Sequence, residues 1–574
     1  MTAGSIDMNG AQVVVSFLKE KGVDPVFGYP GGPILVLYEA LYEANFPHVL
    51  TRHEQGAVHA AEGFAKVTGK PGVVIATSGP GATNLVTGIA DAILDSVPLL
   101  AITGAVARAY TGKDAFQEAD ITGITQPITK HNYLVMNPNH LRAILEDAWN
   151  LTTEGRPGPV LVNIPKDIMA LEIEDKRDEL FFGLRHRPPR KSIEDRVDLV
   201  YSALQKARKP LLLLGGGVVI SEGAGPAVRE FIDKTGMPVA TTMMGKGAVP
   251  DSHPHYLGLV GMHGTPQGNT ALGRCDLLLA VGCRFSDRII GDPGRYVQES
   301  TRTVIHADID PAEIGKNFRP HIEIEEDAAR FFTGMLSHFP ADYSSDAWVE
   351  WREHLSEKAE KYRSITQKLC TLDDRLLPEA VVSHLSQTYE NQNPILVTDV
   401  GQNQLFATKY FSVESPRSFL TSGGLGTMGF GLPAAVGAAI AAPDRPVVLF
   451  VGDGGFQMTM QELSVIREYD LNIKIVVMDN RQLGMVRQWQ ELFHERHYSH
   501  SLLPNNPDFV KIAEAYRIEA SEIHTAEDLR ASVKKAWKKK GPFLLHVHLD
   551  EAELVYPMIP AGQNPEMMIM PGMD

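Results

Sequence analysis

Short runs of Val, Ile and Leu recur along the chain and alternate with longer segments that have an amphipathic helical pattern. Strands that are apolar throughout are typical of parallel sheets with helices on either side, because both faces of such strands are buried. The pattern therefore predicts an α/β protein with mostly parallel sheets flanked by helices. The predicted strands lie within residues 72–81, 97–104, 159–165, 210–217, 275–282, 303–310, 394–401, 446–455, 473–480 and 543–550.

Two stretches interrupt this alternation and predict domain boundaries. Residues 183–195 hold a proline pair among five basic residues, which is typical of an exposed linker. Residues 340–372 are charged and aromatic, with a helical pattern and no strand run, so they predict a long connection. We therefore expect three α/β domains, at residues 1–185, 190–345 and 372–574, and a distant relationship between the first and the third.

The amino-acid composition and the net charge argue against some classes of function. The 574 residues are 44% hydrophobic and 22% charged, and they carry a net charge of −16. A surface this acidic repels phosphate backbones and anionic lipid, which argues against nucleic-acid and membrane partners. The three cysteines are too few for a disulfide framework, and no apolar run reaches the length of a membrane span. These features predict a cytoplasmic enzyme.

The strongest local signal is a glycine-rich motif at the end of a predicted strand. Residues 452–455 read Gly-Asp-Gly-Gly and precede a helical pattern, and the next predicted strand ends in Asp479 and Asn480. Adjacent parallel strands would bring Asp453 and Asn480 to one edge of the sheet, where ligands of α/β proteins bind. Carboxylate and amide oxygens suit Mg²⁺, and glycines let backbone N–H groups approach phosphate oxygens. We therefore predict a diphosphate held through Mg²⁺.

Gly-Asp-Gly alone is better explained as a strand-to-helix turn, but an Asn at this spacing resembles the signature of thiamine diphosphate (ThDP) sites. That signature has an Asn pair where this chain has Asp479 and Asn480. ThDP chemistry also needs a carboxyl group against N1′ of the aminopyrimidine. Glu54 follows a short predicted strand and begins a helical pattern, although by itself it is better explained as a first-turn residue that the helix dipole favours.

Longer runs carry a more specific resemblance through all three predicted domains. They are FGYPGG (27–32), RHEQGAVHAAEGFAKVTGKPGVVIATSGPGATN (52–84), GKDAFQEADITGIT (112–125), TSGGLGTMGFGLPAA (421–435), GDGGFQMTMQEL (452–463), LGMVRQWQE (483–491) and YPMIPAG (556–562). The chain resembles the catalytic (large) subunits of acetohydroxyacid synthase, also called acetolactate synthase. The resemblance implies the ThDP-binding fold, with ThDP bound by the first and third domains and FAD by the middle one.

The resemblance implies an enzyme that decarboxylates pyruvate on ThDP and transfers the hydroxyethyl unit to a second 2-keto acid. The products would be 2-acetolactate from pyruvate alone, or 2-aceto-2-hydroxybutyrate with 2-ketobutyrate, in valine and isoleucine biosynthesis. The first domain of one subunit and the third domain of another would share the cofactor, so a homodimer or tetramer is implied. A small regulatory subunit is a further partner of such large subunits.

Carried over by position, the resemblance also implies individual roles. The catalytic residues would be Glu54, Gly31, Gln117 and Lys166. The Mg²⁺ ligands would be Asp453, Asn480 and the backbone oxygen of Gln482. The other ThDP contacts would be Asn84, Val400, Gly401, Gln402, Asn403, Gly426, Met428, Gly454, Gly455, Gly484 and Met485. Asn403 departs from the family, which usually has His there.

The remaining implied residues belong to FAD and to the acceptor substrate. FAD would contact Arg156, Gly215, Gly216, Gly217, Thr242, His263, Arg284, Asp308, Ile309 and Asp327. The acceptor 2-keto acid would meet Arg288, whose guanidinium suits a carboxylate, and Trp489, with Phe116 and Val486 near the entrance.

Other interpretations stay open. A flavin-free catabolic acetolactate synthase and a pyruvate oxidase that uses FAD for redox chemistry are related alternatives, and a non-catalytic protein on this scaffold would need a broken site. The Gly-x-Gly-x-x-Gly match at 424–429 predicts no dinucleotide site, because no strand immediately precedes it. His494, His497 and His500 lie in a charged run and predict a solvated lid rather than a zinc site.

Overall fold

The computed structural model describes residues 7–174, 191–291, 302–340, 343, 348–373, 375–550, 553–560, 562–565 and 567–570. Within them the chain forms three six-stranded parallel sheets covered by helices, as the hydrophobic pattern predicts. Each of the predicted strand runs contains a strand. None of the helices described is long and apolar enough to cross a bilayer. Most of the predicted linker at 183–195 lies outside the described residues.

The first domain contains eight strands and eight α-helices. Its strands are β1 (Asp7–Asn9), β2 (Val26–Gly28), β3 (His48–Leu50), β4 (Gly72–Ala76), β5 (Leu99–Ala105), β6 (His131–Leu134), β7 (Pro159–Pro165) and β8 (Glu172–Glu174). Its helices are α1 (Gly10–Glu20), α2 (Leu35–Glu43), α3 (Glu54–Thr68), α4 (Pro80–Thr83), α5 (Val86–Asp95), α6 (Ile121–Thr125), α7 (Leu141–Thr153) and α8 (Lys166–Ala170). Strands β1 and β8 form a small antiparallel sheet of their own.

The middle domain is a second sheet with its helices, followed by a long helix. Its strands are β9 (Pro210–Leu214), β10 (Val239–Thr241), β11 (Tyr256–Leu259), β12 (Leu277–Val281), β13 (Thr303–Asp308) and β14 (Ile322–Glu325). Its helices are α9 (Val197–Lys206), α10 (Gly216–Ile220), α11 (Ala224–Thr235), α12 (Pro266–Arg274), α13 (Asp287–Ile290), α14 (Ala328–His338) and the connecting α15 (Val349–Leu369).

The third domain closes the chain. Its strands are β15 (Ile395–Thr398), β16 (Phe419–Leu420), β17 (Val447–Gly452), β18 (Ile473–Asp479), β19 (Glu519–Ile523) and β20 (Phe543–His548). Its helices are α16 (Pro378–Tyr389), α17 (Gln402–Tyr410), α18 (Gly431–Ala441), α19 (Asp453–Thr459), α20 (Leu463–Glu468), α21 (Gly484–Phe493), α22 (Phe509–Ala515) and α23 (Ala526–Lys538). Helix α21 ends before His494, so the three spaced histidines follow it in an exposed, irregular segment.

Strand order relates the first sheet to the third. The first sheet has the order β3-β2-β4-β5-β7-β6 and the third has β16-β15-β17-β18-β20-β19, which is the same order when each is counted from its own first strand. The shared topology agrees with a distant relationship between these domains. The middle sheet has the order β11-β10-β9-β12-β13-β14, which reverses between β9 and β12. Ligands of such sheets bind outside the carboxyl ends of the strands at that reversal.

The first and third domains of the chain meet through helices α3 and α18. A Cβ on Gly63 would lie 2.1 Å from the carbonyl oxygen of Ala434, and a Cβ on Gly437 would lie 1.8 Å from that of Ala60. The residue numbers of the two pairs run in opposite directions, so the helices are antiparallel. Glycine at both positions lets the two backbones approach more closely than any side chain would allow.

A buried polar cluster fixes residues 422–424 of the third domain onto the first domain. Lys66 Nζ donates to Asp95 Oδ2 at 2.6 Å, and the Gly424 N–H donates to Asp95 Oδ1 at 2.7 Å. Ser422 Oγ donates to Asp91. The segment that leads to Met428 is therefore held from the first domain of its own chain.

Candidate active site

The carboxyl edge of the third sheet opens onto a pocket with about 610 Å³ of empty space, part of it open to solvent. The predicted residues that line it are Val400, Gly401, Gln402, Asn403, Met428, Asp453, Gly454, Gly455, Asn480, Gln482, Gly484, Met485 and Val486. Of the predicted ThDP contacts in this domain, Gly426 alone lies outside the lining, two residues before Met428. The structure therefore gathers the predicted diphosphate and metal residues at one place.

Asp453 is the first residue of α19 and is 1% exposed. The Asn506 side-chain amide donates to Asp453 Oδ2 at 2.7 Å and to Asp479 Oδ1 at 2.9 Å. Burial, together with the charge of Asp479, raises the pKa of Asp453 to about 7. A buried carboxylate of this kind gains from a bound cation, since nearby positive charge offsets its desolvation.

Asn480 is oriented by a hydrogen bond to Gln402, which is itself held by Gln488. Asn480 Nδ2 donates to Gln402 Oε1 at 3.0 Å, and the Gln402 amide in turn donates to Gln488 Oε1 at 3.0 Å. This arrangement engages the amide nitrogen of Asn480 and leaves its oxygen as the ligand atom. With Asp453 it forms an oxygen donor set that fits Mg²⁺.

The loop after β15 provides the backbone next to this metal site. The fully buried Asp399 accepts the N–H groups of Val400, Gly429 and Gly431 at 2.8–3.2 Å, which ties this loop to the start of α18. Gly401 has a φ of 129°, a conformation that favours glycine. These contacts hold the loop in the shape that lines the pocket.

Asn403 carries a polar group that fits a phosphate. A Cβ on Gly452 would lie 3.3 Å from Asn403 Nδ2, so this amide donor stands directly beside the glycine-rich turn. Asn403 Oδ1 is buried without a hydrogen-bond partner among the described residues. An amide can donate to a phosphate oxygen in the place where the family usually has a histidine.

Glu54 lies in the first domain, at the first turn of α3. Asn84 Nδ2 donates to Glu54 Oε2 at 2.9 Å. A Cβ on Gly81 would lie 3.2 Å from Glu54 Oε1, so this second oxygen faces a glycine. The carboxyl group is thus anchored through one oxygen and open at the other.

Other predicted residues of the first domain lie along the same carboxyl edge of the sheet as Glu54. A Cβ on Gly31 would lie 2.5 Å from the Cβ of Thr77, and one on Gly79 would lie 2.8 Å from the carbonyl oxygen of Gln117. Thr77 Oγ1 and the neighbouring Ser78 Oγ are buried without a partner in the described part of the chain. Unpaired buried hydroxyls leave hydrogen-bonding capacity for a polar ligand at this edge. Lys166 and Phe116 are exposed on the same side of the sheet, after β7 and before α6.

The two groups of residues do not meet within one chain. Because α3 and α18 are antiparallel, Glu54 and Gly431 lie at opposite ends of the helix pair, about 18 Å apart along it. Gly431 is at the pocket side, since its N–H donates to Asp399. Among the described residues, the pocket lining begins at Pro378 and includes none from the first domain.

Arg288, Trp489 and Val486 lie together beside the pocket, whereas Phe116, the fourth predicted acceptor residue, lies in the first domain and outside the pocket lining. The Arg288 guanidinium carbon lies 6.0 Å from the centre of the Trp489 ring, although the two belong to different domains. Trp489 and Val486 are three residues apart on α21, which places them on one helix face. Val486 itself lines the pocket, so Arg288 and Trp489 lie about one helical turn from it.

The predicted FAD residues lie along the carboxyl edge of the middle sheet. Gly215, Gly216 and Gly217 follow β9, Thr242 follows β10, His263 follows β11, Arg284 follows β12, Asp308 and Ile309 adjoin the end of β13, and Asp327 follows β14. A Cβ on Gly215 would lie 1.9 Å from the Gly282 carbonyl oxygen, so the turns after β9 and β12 touch at the reversal of strand order. His263 Nε2 is buried without a partner among the residues described.

Arg156 reaches this edge from the first domain. Its Nη1 contacts Glu313 Oε1 at 2.7 Å, a short way beyond the end of β13. Thr242 and Asp327 also act as helix caps, accepting N–H groups of Gly245 and Ala329. This edge therefore combines a reversal of strand order, glycine turns and an imidazole nitrogen without a partner among the described residues. A dinucleotide such as FAD can bind at an edge of this kind.

Several residues that hold the pocket lining in place could not be predicted from the sequence. Asn506 bridges the two carboxylates, Asp399 ties the loops together and Gln488 holds Gln402. Their contacts cross 27 to 86 residues of sequence, so no local motif marks them. Gln488 falls within the run at 483–491, Asp399 within the predicted strand run at 394–401, and Thr77 and Ser78 within the run at 52–84, but none of them was predicted as a site residue.

Family models match the chain in the same order as its sheets. They describe the thiamine pyrophosphate enzyme N-terminal TPP binding domain at residues 8–124, the central domain at 197–335 and the C-terminal TPP binding domain at 399–547. Together they cover most of the chain.

Curated relatives match nearly the full length. The acetolactate synthase isozyme 2 large subunit of Escherichia coli (strain K12) is 43% identical over 562 residues, which cover 98% of this chain and 99% of that protein. The acetolactate synthase large subunit of Corynebacterium glutamicum is 44% identical over 97% of this chain and 89% of its own length. Acetolactate synthase 1, chloroplastic, of Nicotiana tabacum is 43% identical over 96% and 83%. This chain belongs to the thiamine pyrophosphate enzyme family, among the acetolactate synthase large subunits.

Proposed function

We propose that the chain is the catalytic subunit of an acetohydroxyacid synthase in branched-chain amino-acid biosynthesis. It decarboxylates pyruvate and joins the remaining two-carbon unit to a second 2-keto acid, giving 2-acetolactate or, with 2-ketobutyrate, 2-aceto-2-hydroxybutyrate. The observation that carries the proposal is the pocket in which Asp453, Asn480 and the Gly454-Gly455 turn converge. When bound, ThDP supplies an electron sink that stabilises the negative charge left by decarboxylation.

Glu54 is the proposed acid–base residue. Its Oε2 accepts the Asn84 amide, which fixes the carboxyl plane, while Oε1 can hold a proton toward N1′ of the aminopyrimidine. Gly81 lets the backbone of α4 approach this carboxyl group, because a Cβ there would lie 3.2 Å from Glu54 Oε1. A carboxyl group at this position would share its proton with the ring nitrogen N1′ of the bound cofactor.

The proposed metal site consists of Asp453, the Asn480 amide oxygen and the backbone oxygen of Gln482. Asn403 and the N–H groups of the turn at 452–455 would donate to the phosphates, and Met428 would contact the cofactor. Asn506 and Gln402 would orient the ligands, because they are hydrogen-bonded to the side chains of Asp453 and Asn480.

We further propose that the complete site forms between two copies of the chain. The separation of Glu54 from the pocket within one chain supports this assembly. So does exposed apolar surface on both halves. Leu35 and Phe116 of the first domain are 58% and 89% exposed, and Val486 and Leu502 of the third are 49% and 51% exposed. A two-fold dimer would cover both halves and create two equivalent sites, and a tetramer would repeat them.

The acceptor 2-keto acid is proposed to bind between Arg288 and Trp489. The Arg288 side chain is 63% exposed. Within the described structure its guanidinium forms an ion pair with Asp287, at 3.6 Å. It can therefore bind a carboxylate, while the Trp489 ring contacts the alkyl group of the substrate. Gln117, Phe116 and Lys166 would border the entrance from the partner subunit.

FAD belongs to the proposal as a second cofactor, supported by the strand order of the middle sheet and the glycine turns at its reversal. A small regulatory subunit is a proposed partner, since the relatives are named large subunits. We also propose a cytoplasmic location, which suits three free cysteines.

Product analysis tests the function. The purified chain is incubated with pyruvate, with and without 2-ketobutyrate, while ThDP and Mg²⁺ are present or withheld. We expect 2-acetolactate from pyruvate alone and the six-carbon product when 2-ketobutyrate is added, both dependent on ThDP and Mg²⁺. The protein's visible spectrum is recorded in the same samples.

The alternatives give different results. A flavin spectrum that pyruvate reduces in equal molar amount, with acetate or acetyl phosphate as product, would indicate a pyruvate oxidase. Acetolactate formed by a protein without flavin would indicate the catabolic enzyme. No acetolactate under any of these conditions would contradict the proposal.

A further inference from the structure

A histidine-rich cluster lies at the carboxyl edge of the third sheet, on its last two strands. Glu522 lies in β19 and His524 directly follows the end of that strand, while His546 and His548 lie in β20. The parallel register pairs Glu522 with His546, so two residues later His524 lies beside His548. Because residues two apart on a strand share a face, all four side chains lie on the same face of the sheet.

The side chains converge on one carboxylate oxygen. His548 Nε2 lies 3.0 Å from Glu522 Oε1, and His524 Nε2 lies 3.4 Å from the same oxygen. The imidazole rings of His524 and His548 are stacked, with centres 4.1 Å apart and an angle of 9° between the planes. The ligand atoms of the three residues all lie within 4.8 Å of one another. Two imidazole nitrogens and a carboxylate therefore face a common point.

His546 packs against the cluster and connects it to Asp479. Its ring centre is 4.2 Å from that of His548, and its Nε2 is hydrogen-bonded to Asp479 Oδ2 at 2.9 Å. The residue is 4% exposed, and its Nδ1 is buried without a partner among the described residues. A histidine with one nitrogen on a carboxylate and the other free is the usual arrangement of a metal ligand.

We propose that Glu522, His524 and His548 form a binding site for a transition-metal ion such as Zn²⁺ or Co²⁺, with His546 beside it as a third nitrogen donor. Two neutral imidazoles and one carboxylate carry a net charge of −1, which suits a divalent cation. The site lies on two hydrogen-bonded strands, which limits the reorganisation that binding requires.

This site differs in chemistry from the proposed Mg²⁺ site. Nitrogen-rich sets favour zinc, cobalt, nickel and copper, whereas the Asp453 and Asn480 site offers oxygen alone. Saturating Mg²⁺ and ThDP should therefore fill the pocket and leave the histidine cluster free. The two sites can be measured separately in one protein.

Cobalt titration tests the proposal. The full-length chain with ThDP and saturating Mg²⁺ is titrated with Co²⁺, followed by calorimetry and visible absorption. We expect one additional site per chain, with the strong absorption of cobalt bound at low coordination number. His524→Ala and His548→Ala should each weaken this binding more than about tenfold. Removing a residue that is merely hydrogen-bonded to a metal ligand already has an effect of that size.

His497→Ala is the matched control, because it removes an exposed histidine outside the cluster and should leave the titration unchanged. Glu522→Gln keeps the shape of the third ligand and should also weaken binding. Thermal denaturation without cobalt checks that each variant is folded. Absence of an additional site, or equal binding by the wild type and the three cluster variants, would overturn the proposal.

Discussion

At the scale of single residues, the candidate site depends on how each polar atom is held. Glu54 is anchored by Asn84 through one oxygen, and Asn480 is anchored by Gln402 through its amide nitrogen. In both cases the partner occupies the atom that is not needed for chemistry. The reactive atom is thereby presented in a fixed direction, which is the condition for efficient acid–base and metal catalysis.

Glu54→Gln tests the proposed acid–base role. Glutamine preserves the size and the contact with Asn84 but cannot hold an ionisable proton, so we expect acetolactate formation to fall by about 100- to 10,000-fold. The circular dichroism spectrum should be unchanged. Glu43→Gln changes an exposed carboxylate of the same domain and should keep full activity. Wild-type rates from Glu54→Gln would refute the role.

At the scale of elements, helices α3 and α18 decide how the first and third domains meet. Their backbones touch at Gly63 and Gly437, and Lys66 of α3 also belongs to the buried polar cluster, through Asp95 of α5. Glu62, on the same helix, is fully buried beside His59, at 3.4 Å. The helix pair therefore combines close backbone contact with buried charge.

Gly437→Ala tests the close contact. The added Cβ would lie 1.8 Å from the Ala60 carbonyl oxygen, so the helices must separate. We expect a loss of about 1–3 kcal/mol in unfolding free energy, as for other overpacked cores. Gly32→Ala is the control, since its Cβ meets nothing within 4 Å and the change should stay within about 1 kcal/mol. Urea denaturation measures both, and an unchanged midpoint for Gly437→Ala would contradict the close contact.

Glu62→Gln tests how the buried carboxyl group of Glu62 makes stability depend on pH. Burial raises the pKa of Glu62 from 4.5 to about 8, so the folded chain keeps a proton that the unfolded chain has lost. Stability must then fall as pH rises between these values, by up to about 1.4 kcal/mol per pH unit. Glutamine does not ionise, so the variant should lose less stability between pH 5 and pH 8, about the range of this titration. Parallel pH profiles of the two proteins would be evidence against the raised pKa.

At the scale of the whole molecule, the arrangement of domains separates Glu54 from the metal pocket. The antiparallel helix pair places the two at opposite ends, and the pocket lining contains no first-domain residue among those described. The proposed assembly joins them across a two-fold axis. The boundaries near residue 185 and at 345–372 stay predictions.

Subunit complementation tests that assembly. Glu54→Gln and Asp453→Asn each remove one half of the site, so each variant alone should be inactive. In a mixed dimer, one site carries both substitutions and the other carries none. After subunit exchange at equal amounts, we expect activity to return to about a quarter of the wild-type value. Activity that stays at zero, in a mixture shown to exchange, would place the site within one chain.

Much of the fold and part of the candidate site could be predicted from the sequence. The strand runs and the Gly-Asp-Gly-Gly turn are local, because a buried parallel strand and a strand-to-helix turn impose their residue types on neighbouring positions. The long matching runs led to the family, which the comparisons confirm. Asn506, Asp399 and Gln488 could not be predicted, since their partners are distant in the chain.

Two groups of histidines also show that contacts between distant residues cannot be predicted from local sequence. His494, His497 and His500 have a regular spacing, yet they follow the end of α21 and lie apart in an exposed segment. His524 and His548 are 24 residues apart and have no shared motif, yet strand pairing stacks their rings. Spacing along the chain does not show which histidines meet, because contacts between neighbouring strands depend on sheet register.

The amino-acid sequence by itself determined the class of fold, the strands and the chemistry available at the end of each one. Those properties depend on side-chain type and near neighbours, which the order of residues contains directly. Tertiary structure alone decided which of these ends meet. Close contact at Gly63 and Gly437 fixed the helix pair, and that pair turned Glu54 away from its own chain's pocket, because backbone contact at two points leaves two packed helices one relative orientation.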